Sequence, residues 1–178
     1  MTNKVDAAKA RLRAAHDKYG DSLFIGHSGG KDSAVVLHLA QSVLGTDIPV
    51  VHTVKPGGKN RTHPDTIRYL YDYVAPRVPV IFMIPESGME DFRTNSILTT
   101  QIDGTRASEF ERVDRSATLV MNGKEQSREH MGDSTENGVF GFNFIYPIFD
   151  WSDEDVWGYI AANYIEMSHE YDHLRPTY

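Results

Sequence analysis

The sequence predicts an α/β protein: a parallel, twisted sheet flanked by helices, built as a single domain. Three observations carry this. Short apolar runs alternate with helix-spaced segments through the first half of the chain, as right-handed βαβ units require. One apolar run breaks at a glycine turn and passes directly into a helix, at residues 23–44. The chain has 178 residues, which suits one domain with a full core.

In chain order, residues 5–19 read as an amphipathic helix, with Val5, Ala8, Leu12 and Ala15 on one stripe and Gly20 as the stop. A strand follows near 22–26. A helix then runs to about Leu44, and Gly45-Thr46-Asp47 turns the chain. Residues 48–54 read as a second buried strand, and Pro56 to Thr62 as a polar loop. A helix is expected from Pro64 to Ala75, since proline suits its first turn. Val78 to Ile84 is a third strand, and 87–98 is expected to be helical. Thr118–Met121, Asn122-Gly123 and Lys124–Ser127 form a hairpin signal with a type I′ turn. Phe140 to Ile148 is strand-like. Ser152 is placed to cap a last helix whose first turn is acidic (Asp153, Glu154, Asp155).

Composition excludes several classes. Net charge is −7, which argues against nucleic acid or an anionic membrane as partner. Cysteine is absent, so no disulfide, thiolate nucleophile or cysteine-ligated metal is available from these residues. No apolar run approaches the length of a membrane span, and a cytoplasmic location is expected. Charge is uneven, basic in residues 1–20 and acidic in 150–178; these read as solvated helix faces.

Residues 27–33, His27-Ser28-Gly29-Gly30-Lys31-Asp32-Ser33, carry the chemistry. A strand that turns through glycines into a helix offers free N–H groups and a helix N-terminus at one point, a geometry that binds phosphate. Lys31 adds a charge, and Ser28 and Ser33 add hydroxyls. The spacing is not that of a Walker A loop, since Ile25 stands where its first glycine belongs and Asp32 follows the lysine. Asp32 either assists a metal or caps the helix. His27 either touches phosphate or shapes the turn. In a parallel sheet the ligand lies at the carboxyl ends of the strands, which brings His52 and Thr53 to the same place, His52 as a candidate for the base pocket. A second cluster, Gly104-Thr105-Arg106-Ala107-Ser108-Glu109-Phe110-Glu111-Arg112, offers two guanidinium groups suited to phosphate or sulfate, or to a surface ion-pair cluster.

Ser28 to Ser33 resemble the S-G-G-x-D-S signature of the PP-loop ATP pyrophosphatases. The order of motifs resembles the phosphoadenosine phosphosulfate (PAPS) reductase family, which includes the small catalytic subunit of bacterial ATP sulfurylase. Val51-His52-Thr53 with His63-Pro64-Asp65-Thr66 resembles its second strand and following helix start. Gly104-x-Arg106-x-x-Glu109-x-x-Arg112 resembles its arginine segment. Tyr146 to Ile160 resembles its tryptophan-rich helix, and Tyr171-Asp172 with Arg175 its closing segment.

The resemblance implies an adenine nucleotide α-hydrolase-like fold, Rossmann-like and of HUP type. It implies that Ser28, Gly29, Gly30, Lys31, Asp32 and Ser33 hold ATP or a related adenylyl or sulfo-nucleotide, with His27, His52, Thr53 and Gly104 near it. Lys31, Arg106 and Arg112 would act on the phosphates, with Mg²⁺ bridging them. Chemistry would fall at the α-phosphate, as adenylyl transfer to an unidentified acceptor or hydrolysis with release of pyrophosphate. A family reductase attacks sulfur with a cysteine near its C-terminus; this sequence has none and ends at Tyr178, so thiol-dependent reduction by this chain alone is not expected. Two other readings stand beside this one. One is a nucleotide-binding module or subunit whose redox or sulfur chemistry comes from a protein partner. The other is a zinc hydrolase, since His169-Glu170-Tyr171-Asp172-His173 fits H-E-x-x-H.

Overall fold

The computed structural model describes residues 2–55, 62–83, 92, 94–108, 118–121, 124–127, 134–135 and 142–170. Helix α1 (Thr2–Tyr19) ends in a 3-10 turn, and β1 (Leu23–Gly26) follows. The chain then forms α2 (Lys31–Leu44), β2 (Val50–Thr53) and α3 (Pro64–Tyr69). A π-helical turn, Leu70–Val74, extends α3, so the element spans nearly the segment that the sequence indicates. Next come β3 (Val80–Met83), β4 (Thr100–Ile102), and the hairpin of β5 (Thr118–Met121) with β6 (Lys124–Ser127). Last are β7 (Ser134–Thr135), β8 (Asn143–Ile145) and α4 (Asp153–Asn163). Of the helix expected over 87–98, only 92 and 94–98 are described; Phe92, Thr94 and Asn95 are helical.

The main sheet runs β3-β2-β1-β4-β8-β7. Its first five strands are parallel, and β7 pairs antiparallel with β8 at the edge. Strand β1 lies between β2 and β4, with Ile25 beside Val50 on one side and Ile102 on the other. The order reverses at β1, so the carboxyl ends of β1 and β4 diverge into a crevice, the usual ligand position in such a sheet. Hairpin β5–β6 forms antiparallel as the sequence indicates, and forms its own two-stranded sheet.

Strand β1 reads Leu-Phe-Ile-Gly, a continuous apolar run, because both faces of the sheet are covered. Successive side chains point to opposite faces. Leu23 and Ile25 enter the larger cluster, with Leu12, Leu39, Val50, Leu70, Ile102 and Trp151. Phe24 enters the other, with Val51, Met83, Leu98 and Phe142. The buried stripe of α1 holds Ala8, Leu12 and Ala15, and Val5 packs at its margin.

The charge asymmetry is not only a matter of solvated faces. Lys4 Nζ lies 2.6 Å from Asp155 Oδ2, and Arg11 Nη1 lies 2.7 Å from Asp150 Oδ1 while also donating to the carbonyl of Pro147. The basic face of α1 thus clamps the turn that leads into α4. The bond from Lys4 is the chief reason that the Asp155 carboxyl is held below its usual range. Ser152 caps α4 with a full capping box: its hydroxyl accepts from the Asp155 N–H, and its own N–H donates to the Asp155 carboxylate. No helix among the described residues is long and apolar enough to cross a membrane.

Candidate functional site

The turn from β1 into α2 is held by its own side chains. The Gly30 N–H donates to Ser28 Oγ at 3.2 Å, and Ser33 Oγ donates to the Gly30 carbonyl at 2.8 Å. The two hydroxyl oxygens lie 3.2 Å apart. Gly29 has φ +89°, and a β-carbon there would collide with the Thr66 side chain, so both conformation and space favour glycine. Gly30 is the N-cap of α2 and receives no side-chain cap. Asp32 therefore does not cap the helix; it sits in the first turn, where its charge is favourable to the helix dipole.

Beneath the loop lie two buried imidazoles, one just after β1 and one on the neighbouring β2. His27 is 2% and His52 3% exposed. The Gly29 N–H donates to His27 Nδ1 at 3.0 Å, which places the His27 proton on Nε2. His52 Nδ1 is 2.6 Å from the His27 carbonyl, which only accepts, so His52 carries its proton on Nδ1. Burial, with the neighbouring His52 adding, pushes His27 down to about 3, and burial lowers His52 as well. Both rings are neutral at pH 7. Each Nε2 is buried with no hydrogen-bond partner among the described residues, His27 with a donor to offer and His52 with an acceptor. Of the two readings of His27, shaping the turn is the one for which the structure supplies a bond.

A cavity of about 780 Å³ opens at this point, at the carboxyl ends of β1, β2 and β4. Its polar wall includes His27, Ser28, Asp32, Ser33, His52 and Thr53. Its apolar wall includes Phe24, Met83, Phe92 and Phe142; the Phe24 ring packs edge-on against both of the other phenylalanines, centroids 5.8 and 5.5 Å away. Gly104 lines it too, packed on the backbone of the first turn of α2.

Several lining residues escape a sequence reading. Asp103 Oδ1 accepts from the Thr105 N–H at 2.8 Å, and Asp103 Oδ2 accepts from Gln101 at 2.7 Å. The Asp-Gly-Thr triplet is itself a turn signal that could have marked this corner. Glu170 reaches the cavity from the other end of the chain and accepts from Thr66 Oγ1 at 2.8 Å.

The cationic residues are placed differently from expectation. Arg106 is 1% exposed and does not line the cavity. Its Nε lies 2.8 Å from Asp32 Oδ1 and its Nη2 2.6 Å from Asp153 Oδ1. It ties the start of α2 to the start of α4. Lys31 does not line the cavity either; its Nζ lies 2.8 Å from Asp32 and 3.1 Å from Asp153. Glu109 and Arg112 lie outside the described residues. His169 and Glu170 stand in a short 3-10 turn, and His173 lies outside the described residues. Among the described residues no three metal-binding side chains converge.

The sequence model of the phosphoadenosine phosphosulfate reductase domain matches residues 22–173. The chain belongs to the PAPS reductase family. Among solved structures, this PAPS reductase-family chain is similar to the phosphoadenylyl-sulfate reductase of Candida auris in its phosphate complex. The TM-score is 0.59 at 14% identity, over 96% of this chain and 86% of that one. It is also similar to the U34-tRNA thiolase NcsA of Methanococcus maripaludis with its [4Fe-4S] cluster. There the TM-score is 0.56 at 9% identity, over 93% of this chain and 65% of that one. At these identities the likeness speaks for the fold alone, an adenine nucleotide α-hydrolase-like one. No curated protein matches the chain by sequence.

Proposed function

We propose that this PAPS reductase-family protein binds ATP or a related adenylyl or sulfo-nucleotide in the cavity at the 28–33 loop and acts at its α-phosphate. The reaction is adenylyl transfer to an acceptor, or hydrolysis, with pyrophosphate released. One observation carries the reading. Ser28 before the glycines and Asp32 and Ser33 in the first turn of α2 line a nucleotide-sized cavity at the point where the strand order reverses, although Gly29 and Gly30 themselves do not line it. The phosphate complex of the similar Candida auris reductase supports it.

In this reading the phosphates meet the unpaired N–H groups of the first turn of α2 and the hydroxyls of Ser28 and Ser33. The apolar wall of Phe24, Phe92 and Phe142 takes a flat ring. The protein supplies position and charge rather than a covalent nucleophile. Mg²⁺, when bound, would neutralise phosphate charge; with no convergent set of protein ligands among the described residues, it would be held mainly by the phosphates, in keeping with its preference for few carboxylates. Thiol-dependent reduction is not part of the proposal, since no cysteine is present.

A second reading, binding without turnover, is favoured by the placement of Lys31 and Arg106 on carboxylates rather than on the cavity. Calorimetric titration with ATP, adenylyl sulfate, PAPS and adenosine 3′,5′-bisphosphate, with and without Mg²⁺, tests both. Magnesium-dependent ATP binding accompanied by pyrophosphate release supports the enzyme. Binding without release supports the module. Binding of none of them defeats the nucleotide reading.

A further inference from the structure

Two carboxylates hold the one ammonium of the loop, and neither depends on it. Lys31 Nζ lies 2.8 Å from Asp32 Oδ2 and 3.1 Å from Asp153 Oδ1. Both acids also have Arg106, whose Nε is 2.8 Å from Asp32 Oδ1 and whose Nη2 is 2.6 Å from Asp153 Oδ1. The guanidinium is buried and fixed in place, its Nη1 directed to the carbonyl of Trp151. If Lys31 leaves, each carboxylate keeps a cation beside it. Stranding a charge is the expensive step in breaking such pairs, and this arrangement avoids it. Lysine is also suited to the move, being a point charge on a flexible stem.

We propose that Asp153 is a positioning residue that holds Lys31 away from the cavity until a phosphate-bearing ligand competes for it. Binding is then an exchange at Nζ, carboxylate for phosphate, with Arg106 as the counter-charge that stays. The inference rests on the phosphate reading of the cavity and adds a selectivity to it. The multiply charged pyrophosphate end of a nucleotide can displace Asp153 from Lys31, whereas a singly charged anion gains too little to do so. Asp153 suits the role because its side chain is 43% exposed, so its hold on Lys31 is weak.

The experiment is calorimetric titration of inorganic pyrophosphate into the wild type, Asp153→Asn, Lys31→Ala and the double variant. Asp153→Asn should bind about three- to fivefold more tightly than wild type, the scale of a partly exposed ion pair. Asp153→Glu should restore the wild-type value. Lys31→Ala should bind more weakly, and adding Asp153→Asn to it should change nothing. A merely structural role for Asp153 predicts the opposite sign. Equal tightening with and without Lys31 would mean that Asp153 acts only through its field, and would overturn the proposal. Unchanged or weaker binding by Asp153→Asn would do the same. If that variant does not fold, the ¹⁵Nζ resonance of Lys31 in the wild type decides: it must move as pyrophosphate saturates, and a stationary signal overturns the exchange. Failure of the wild type and Asp153→Asn to bind pyrophosphate or ATP at all would remove the phosphate reading first, a result distinct from binding that Asp153 does not affect.

Discussion

A β-carbon on Gly104 would lie 3.0 Å from the backbone nitrogen of Ser33 and 2.9 Å from the carbonyl carbon of Asp32. The loop after β4 thus rests directly on the first turn of α2, with no side chain between them. Because the neighbour is backbone, it cannot turn aside. Gly104→Ala should therefore cost about 1–3 kcal/mol in urea denaturation, the usual penalty for overpacking. It should also weaken nucleotide binding, because the two walls of the cavity part. A variant with wild-type stability and affinity would show that this contact sets neither.

Arg106 should prove structural. Arg106→Met removes the guanidinium that two carboxylates share, Asp32 at 2.8 Å and Asp153 at 2.6 Å. Breaking a fully buried pair costs ~3–5 kcal/mol; the partial exposure of both acids and the nearby Lys31 reduce the expectation to about 2 kcal/mol. Arg106→Lys should recover only part, since an ammonium cannot address both partners in the same geometry. Equilibrium denaturation at neutral pH measures all three proteins. Undiminished stability in Arg106→Met would contradict the role.

Acid should destabilise the fold through His27. Its folded value is pushed down to about 3, whereas an unfolded histidine titrates near 6.5. Between those values the unfolded chain binds more protons, so stability rises with pH and falls as the medium is acidified below about 6.5. The slope from this one group approaches about 1.4 kcal/mol per pH unit. His52, also lowered by burial, adds to it. His27→Asn keeps an acceptor for the Gly29 N–H and does not titrate, so its melting temperature should depend less on pH between 4 and 6.5 than that of the wild type. Parallel profiles would locate the acid sensitivity elsewhere.

The capping box of α4 gives a smaller test. Ser152→Ala removes the hydroxyl that accepts from the Asp155 N–H, worth about 1 kcal/mol at a helix N-terminus. Ser152→Thr should retain most of it. The shift in urea midpoint between the two variants is the measurement.

Much of this architecture was legible in the sequence, and what was missed has physical reasons. The β1–loop–α2 unit announces itself because a four-residue apolar strand ends in glycines and a helix-spaced run begins at once. Strand β4 gives no such signal. It is three residues long, with Thr100 and Ile102 buried and Gln101 less so, a pattern that local periodicity cannot tell from a loop. It is a strand because β1 and β8 flank it. The chemistry of Lys31 and Arg106 was legible as cationic, but their partner was not. Asp153 lies far along the chain, and only the docking of α4 beside α2 brings it to them. The histidine pair was legible as strand-end residues; their fixed tautomers come from a loop N–H and a carbonyl that the sequence does not place.

The position of β1 between β2 and β4 also bears on how the protein is made. Of the two strands that pair with β1, β2 follows it closely in the chain, while β4 comes only after β3 has been made. Contacts that join distant stretches form late, because a large loop must close before they reward it. The cavity lies along that seam. A nascent chain can thus complete its glycine turn well before it possesses a binding site, which takes shape only once β4 docks against β1.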